Sequence, residues 1–291
     1  MGSRKLELIR EEKLHKLLPG KNPRSRLEAS GVYAINESTC YVIFDNLNEV
    51  ALIDTSLKSK SQNRIIPVLN VGTGFEDITY DPHKEIFYLI IEALKDANGD
   101  FHGLAGEYKR DLTFCSCRLL DVAFAKKNKG FEGVEHLWRD GNEYLVGLWE
   151  DALNQDDQRQ GTGLLHLFLK ADDGAWTKEF AIELPSTAQF KDYAAIAKRG
   201  NQVTVLSQSS RRIWIGKLNE AADGFAADAG IVYRFPSKHY ANVEGVSWLS
   251  DNELVMVSDR RKNDHNKKDQ SKGDASKDQS IHIFRIPADH A

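Results

Sequence analysis

The 291-residue chain has three cysteines, no long apolar run, no cationic surplus and none of the short motifs that mark common catalytic folds. Each scarcity excludes something. Cys40, Cys115 and Cys117 leave one thiol over, and Cys115 and Cys117 stand two apart on one expected strand, a poor geometry for a bridge. A disulfide framework is therefore excluded and a reducing compartment expected. The plain reading of these thiols is buried strand residues, with a Cys115–Cys117 metal pair as the alternative. The apolar runs are far shorter than a bilayer span requires, so no membrane partner is expected. Arg4 and Lys5 are not followed by the apolar stretch of a secretory leader, which makes the cytoplasm the expected location. The formal net charge is −4 and the Lys and Arg residues are scattered, without the basic stripe that nucleic acid demands. There is no Gly-x-Ser-x-Gly elbow, no phosphate-binding Gly-rich loop and no His-Glu-x-x-His pair, so covalent catalysis has no visible support.

What the chain does have is a phrase repeated with variation: Ser30-Gly31-Val32, Glu76-Asp77-Ile78, Glu132-Gly133-Val134, Asp192-Tyr193-Ala194 and Glu244-Gly245-Val246. Each opens a short alternating apolar run. A second run follows in every unit and ends in a polar residue, at Asp45, Glu92, Glu150, Gln208 and Asp259. Repeats of this period, with period-2 alternation bounded by turn residues, predict an all-β chain folded as a single β-propeller of four-stranded blades. Five blades are expected, over residues 29–71, 75–123, 131–184, 192–235 and 243–287, with a degenerate sixth as the alternative. The fifth unit supplies only three strands. An N-terminal strand within 6–18 is expected to complete it, which also removes an open sheet edge. The rival reading of 5–18 is a short amphipathic helix, since it is rich in Leu, Glu and Lys. No unit carries the Gly-His and Trp-Asp pairing of WD repeats.

In such a ring the first strand of each blade lines the axis, and its start lies at the rim to which the second strand returns. Ser30, Glu76, Glu132, Asp192 and Glu244 then share one mouth with Asp45, Glu92, Glu150, Gln208 and Asp259. An acid before glycine is ordinary turn chemistry when met singly. Several carboxylates at one narrow mouth, however, repel one another and need protons or cations. Glu76, Glu132, Glu244, Asp192 and Asp259 are the candidate ligands of a divalent metal. Calcium is the leading ion, because the ten positions offer oxygen and no histidine. An organic cation without metal is the alternative. Expanded connections at 93–103, 151–162 and 260–280 fall on the same rim and mark it as the working face. The last is a polar, low-complexity stretch, read as a solvated loop or as a lid in which Arg260 and Arg261 pair with a substrate anion. His239 is a candidate proton donor, Glu92 and Glu150 are candidate bases, and His102 is a further proton carrier. His136, His166 and His282 lie within strand patterns and read as structural.

The phrases Glu28-Ala29-Ser30-Gly31-Val32, Phe131-Glu132-Gly133-Val134 and Val243-Glu244-Gly245-Val246, each followed by a strand ending in Asp or Glu, resemble the propeller superfamily containing esterase-like phytase domains. They are also similar to the Glu-Gly strand openings of gluconolactonase and regucalcin propellers. That resemblance implies a divalent ion at the acidic rim, with Glu76, Glu132 and Glu244 as first ligands. The relatives commonly have six blades, and no complete ligand set matches residue by residue. The expected function is a calcium-dependent hydrolase or lyase acting on a small ester, lactone or phosphate at the channel mouth, as a monomer or weak oligomer. A binding module for carbohydrate, a cation or a protein, using Trp149, Tyr193 and Tyr240, is the alternative from another class, and a scaffold with a merely solvated mouth is a third.

Overall fold

The structure, a computed structural model, describes residues 4–58, 60–69, 74–124, 129–149, 163–227, 230–260 and 275–288. Two short strands, β1 (Arg4–Lys5) and β2 (Glu7–Lys13), and one helical turn, α1 (Leu14–Leu17), precede a series of antiparallel meanders. The first meander is β3 (Ala29–Asn36), β4 (Thr39–Phe44), β5 (Leu47–Asp54) and β6 (Arg64–Pro67). The second is β7 (Asp77–Asp81), β8 (Ile86–Lys95), β9 (Phe101–Lys109) and β10 (Phe114–Phe124). The third is β11 (Phe131–Arg139), β12 (Asn142–Trp149), β13 (Leu164–Lys170) and β14 (Trp176–Glu183). The fourth is β15 (Ala195–Arg199), β16 (Gln202–Ser207), β17 (Arg212–Lys217) and β18 (Ile231–Arg234). The last, β19 (Val243–Trp248), β20 (Glu253–Ser258) and β21 (Ser280–Arg285), takes β2 as its outer strand, with Glu7 opposite Arg285 and Lys13 opposite Ser280. Thus both readings of 6–18 hold in part: strand as far as Lys13, then one turn of helix.

The first strands touch in sequence, β3 with β7, β7 with β11, β11 with β15, β15 with β19, and β19 with β3. This is the arrangement of a propeller, and the molecule is nearly all β. The apolar residues follow from it. Each sheet alternates its side chains between two faces, and each face packs on a neighbouring meander, so the core is divided into sectors. Val42, Ala51 and Ile53 meet Val255, Val257 and Ile281 in one sector, and Leu165, Leu167 and Ile182 meet Val203, Val205 and Trp214 in another. A single parallel bridge, Leu120 to Trp176, joins the second and third sheets at their outer edges, and β1 adds to β18 in the same sense.

Glycine explains the repeated phrase better than turn chemistry does. A Cβ on Gly245 would stand 2.9 Å from the Gly31 Cα and the Ser30 carbonyl, and one on Gly31 would stand 2.9 Å from the Asp77 Cα. A Cβ on Gly133 would meet the Ile196 nitrogen at 2.9 Å. Backbones of successive first strands therefore approach too closely around the axis for any side chain, and the glycines are selected by that approach. By contrast Asp140-Gly141, with φ of 51° and 79°, is the two-residue hairpin turn that links β11 to β12.

Candidate functional site

The acidic rim is present, but its members are spread around the ring and several are used to join meanders. Gln208 donates to the Glu244 carboxylate from the fourth meander to the fifth. Glu92, in β8, accepts the Gly130 N–H at 3.1 Å ahead of the third meander. Ser30 is buried and donates to the Phe75 carbonyl. Asp192 stays within its own meander, accepting from the Ser207 hydroxyl and from the Ser209 N–H at 2.9 Å. Glu76 and Glu132 are half-buried and Asp259 is buried. Among the described residues no three of Glu76, Glu132, Glu244, Asp192 and Asp259 bring ligand atoms within 4.8 Å of one another.

Other sequence expectations fall as follows. Glu150, Arg261 and the connection 151–162 lie outside the described residues, as does 261–274 of the last insertion. The expansion at 93–103 is an extension of the β8–β9 hairpin, with His102 inside β9, its Nδ1 3.1 Å from the Leu120 carbonyl and its Nε2 3.6 Å from Asp96. His239 is half-buried in a turn, its main-chain N–H on the Ser237 hydroxyl at 3.3 Å. The aromatics of the binding alternative are internally engaged: Tyr193 with Gly163 and Ala188, Trp149 with the Lys129 carbonyl, and Tyr240 with Glu11. Of the thiols only Cys40 is buried; Cys115 is exposed and Cys117 half-exposed, because β10 is an outer strand.

The group that does converge lies toward the opposite end of the meanders. Asp81 closes β7, Glu143 stands near the start of β12, and His136 points from β11 between them. Asp81, His136 and Glu143 are all buried, and their ligand atoms lie within 4.8 Å of one another. The His136 Nε2 is 3.8 Å from the Asp81 Oδ2 and 3.5 Å from the Glu143 Oε1. Those separations are too long for hydrogen bonds. Accordingly the His136 Nε2 and the Asp81 Oδ2 have no hydrogen-bond partner among the described residues, although both are sealed from solvent. Ligands about 2.1 Å from a tetrahedral ion stand about 3.4 Å apart, close to the spacing seen. Orphaned buried polar atoms at that spacing fit a small divalent ion.

A second layer of groups fixes the three. The Trp138 indole donates to the other Asp81 oxygen at 3.0 Å, and the His83 N–H does so at 2.8 Å. The Tyr88 ring stacks on the His136 ring, with centroids 5.7 Å apart and 7° between planes, while its hydroxyl donates to Glu143. Lys84 pairs with the second Glu143 oxygen. Lys170 reaches Glu107 at 2.8 Å, the Tyr88 hydroxyl at 3.2 Å and Glu143 at 3.8 Å. Burial works to raise the Glu143 pKa, but His136, Lys84, Tyr88 and Lys170 outweigh it and hold the carboxyl at about 2. Burial pushes the Tyr88 phenol up, so it keeps its proton. Glu143 is thus ionised and Tyr88 a donor. Sequence reasoning misses this group: neither Asp81 nor Glu143 belongs to any motif, and His136 reads as a strand histidine.

Two other polar constellations are structural in position. At the axis, Asp77 accepts the Ile78 and Val134 N–H groups at 2.9 Å, and burial lifts its pKa well above its ordinary value. Burial likewise raises Glu135 to about 7, against the pull of Lys198. In the last meander Glu11 of β2, His282 of β21 and Ser258 of β20 form a chain, with Ser258 Oγ 2.8 Å from the His282 Nε2 and Glu11 3.2 Å from the Nδ1. Ser258 is buried, so this chain ties strands together and presents no nucleophile.

No protein-family model matches the chain, and no curated protein does. Among solved structures it is similar to the PQQ-bound form of aldose sugar dehydrogenase from Streptomyces coelicolor, with 13% identity and a TM-score of 0.50, over 96% of this chain and 98% of that one. It is also similar to the glutaminyl cyclase of Myxococcus xanthus, with 12% identity and a TM-score of 0.51, over 97% of each. At such identity the likeness is one of fold, and it runs the whole length of the propeller rather than through any one site.

Proposed function

We propose that the chain is a five-bladed propeller closed by its N-terminal strand, and an enzyme that uses a divalent ion held by Asp81, His136 and Glu143. The carrying observation is the pair of buried ligand atoms, His136 Nε2 and Asp81 Oδ2, left without partners at metal-ligand spacing beside an ionised Glu143. A donor set of one nitrogen and two oxygens favours a first-row ion such as zinc or manganese over calcium. When bound, the ion supplies Lewis-acid activation of a substrate oxygen, the chemistry suited to a small ester, lactone or phosphate. The chain's own groups have distinct parts. Trp138 and the His83 N–H hold Asp81 in place, and the stacked Tyr88 ring sets the plane of His136. Lys170 and the protonated Tyr88 place positive charge and a proton where a developing oxyanion needs them. Lys84, with half its side chain in solvent, is the movable member through which a substrate reaches Glu143.

A second reading follows from the same two lysines. Lys84 and Lys170 offset the Glu143 charge, and the cluster then serves as a metal-free ion network joining the second and third meanders. Turnover separates the two. Chelator-treated protein is assayed on p-nitrophenyl acetate, gluconolactone and p-nitrophenyl phosphate, with and without zinc and manganese. The enzymatic reading expects turnover of at least one substrate, restored by metal and lost in His136→Gln but kept in Glu132→Gln and Glu244→Gln. Equal turnover in His136→Gln contradicts it.

A further inference from the structure

A second feature lies toward the same end of the ring as Asp81, and it does not depend on the metal centre. Tyr33 and Ile35 of β3, Tyr41 of β4, Tyr80 of β7, Pro82, Phe87 of β8 and Arg110 enclose a cavity of about 300 Å³ between the first and second meanders. Phe87 is its hub, with its ring centroid 4.4 Å from Tyr80, 5.3 Å from Tyr41 and 5.6 Å from Tyr33. The volume suits a small ring-bearing molecule, and tyrosine-rich walls offer large, rigid, amphipathic contact.

The polar groups of the cavity are uncommitted. Tyr41 is only 7% exposed, yet its hydroxyl has no hydrogen-bond partner among the described residues, and neither do the hydroxyls of Tyr33 and Tyr80. Three phenols without a protein partner around one cavity are free to bond a molecule that enters it. Among the described residues Arg110 is the one charged residue in the lining. Its guanidinium, mostly in solvent, spends a single N–H on Glu85 at 2.8 Å, and a guanidinium has five. A fork of free donors beside aromatic walls matches a planar carboxylate and opposes an organic cation.

We propose that this cavity binds a small aromatic carboxylate, its ring against Tyr33, Tyr80 and Phe87 and its carboxylate on Arg110. Titration calorimetry with indole-3-acetate tests it, using uncharged indole and tetramethylammonium as controls. One site is expected, with affinity falling at least tenfold in Arg110→Ala and by a similar factor for indole on the unmodified protein. Tyr80→Ala is expected to weaken indole and indole-3-acetate alike. Arg110 sits on a surface turn, so its variant should keep the parent melting temperature, and chelator should leave binding unchanged even if the metal reading fails. Absence of indole-3-acetate binding, equal affinity in Arg110→Ala, or preferential binding of tetramethylammonium would each overturn the proposal.

Discussion

Replacing Glu11 by glutamine should unfasten the strand that completes the last meander, and the size of the effect can be worked from its partners. Glu11 lies on β2 and receives hydrogen bonds from His282, Lys277 and Tyr240. The His282 bond is the largest influence and, with Lys277 and Tyr240, outweighs burial to bring the carboxyl from 4.5 to about 2. Burial keeps His282 neutral near pH 7, so its Nδ1–H donates to Glu11 while its Nε2 accepts from Ser258. The interval from 4.5 to about 2, at about 1.36 kcal/mol per unit, sets an upper bound of about 3 kcal/mol. With 26% of the side chain still in water, screening reduces this to about 1–2 kcal/mol. Because the folded-state value is the lower one, that stability is fully present above about pH 4.5 and is lost as pH falls toward 2. Urea unfolding of the parent and of Glu11→Gln should therefore differ by about 1–2 kcal/mol at pH 7, or about 2–8 °C in melting temperature. The gap should shrink steadily between pH 4.5 and pH 3. Equal stability at pH 7, or a gap independent of pH, would refute the reasoning.

Two further outcomes follow from packing. Gly245→Ala should destabilise the fold by about 1–3 kcal/mol in chemical denaturation, because its Cβ would meet the Val257 Cγ2 at 2.7 Å and first-strand backbone at 2.9 Å, and the backbone cannot yield as a side chain can. His166 is buried among Phe131, Trp149 and Phe168 with neither ring nitrogen bonded among the described residues, and burial, helped by Lys178, lowers its pKa to about 4. His166→Leu should thus be neutral or stabilising at pH 7, measured by melting temperature. Its advantage should grow as pH falls from 6.5 to 4, where the unfolded histidine takes up a proton that the folded one refuses.

The architecture was legible because it is written in a repeated period. The third and fourth meanders lie within the expected units 131–184 and 192–235, and β2 of the N-terminal segment pairs with β21. The rim was legible as a line of acids, but its chemistry was not. Whether Glu244 faces a cation or a glutamine of the neighbouring meander depends on the angle between sheets, which no periodicity records. Glycine in Glu-Gly carried a second meaning, the close approach of first strands, that only the assembled ring displays. The converging group was hidden for a related reason. Asp81, His136 and Glu143 come from two meanders, each at a place where a turn acid or a strand histidine is ordinary. His282, also expected to be structural, is so, through Glu11 and Ser258.

The most direct measurement is the metal content of the protein, by calorimetric titration of zinc and manganese into chelator-treated samples of the parent, Asp81→Asn, His136→Gln and Glu244→Gln. One equivalent of metal, abolished by the first two substitutions and retained in the third, is the expected result. Stoichiometric binding that survives Asp81→Asn and His136→Gln, or no binding by the parent, would contradict a metal centre between β7, β11 and β12.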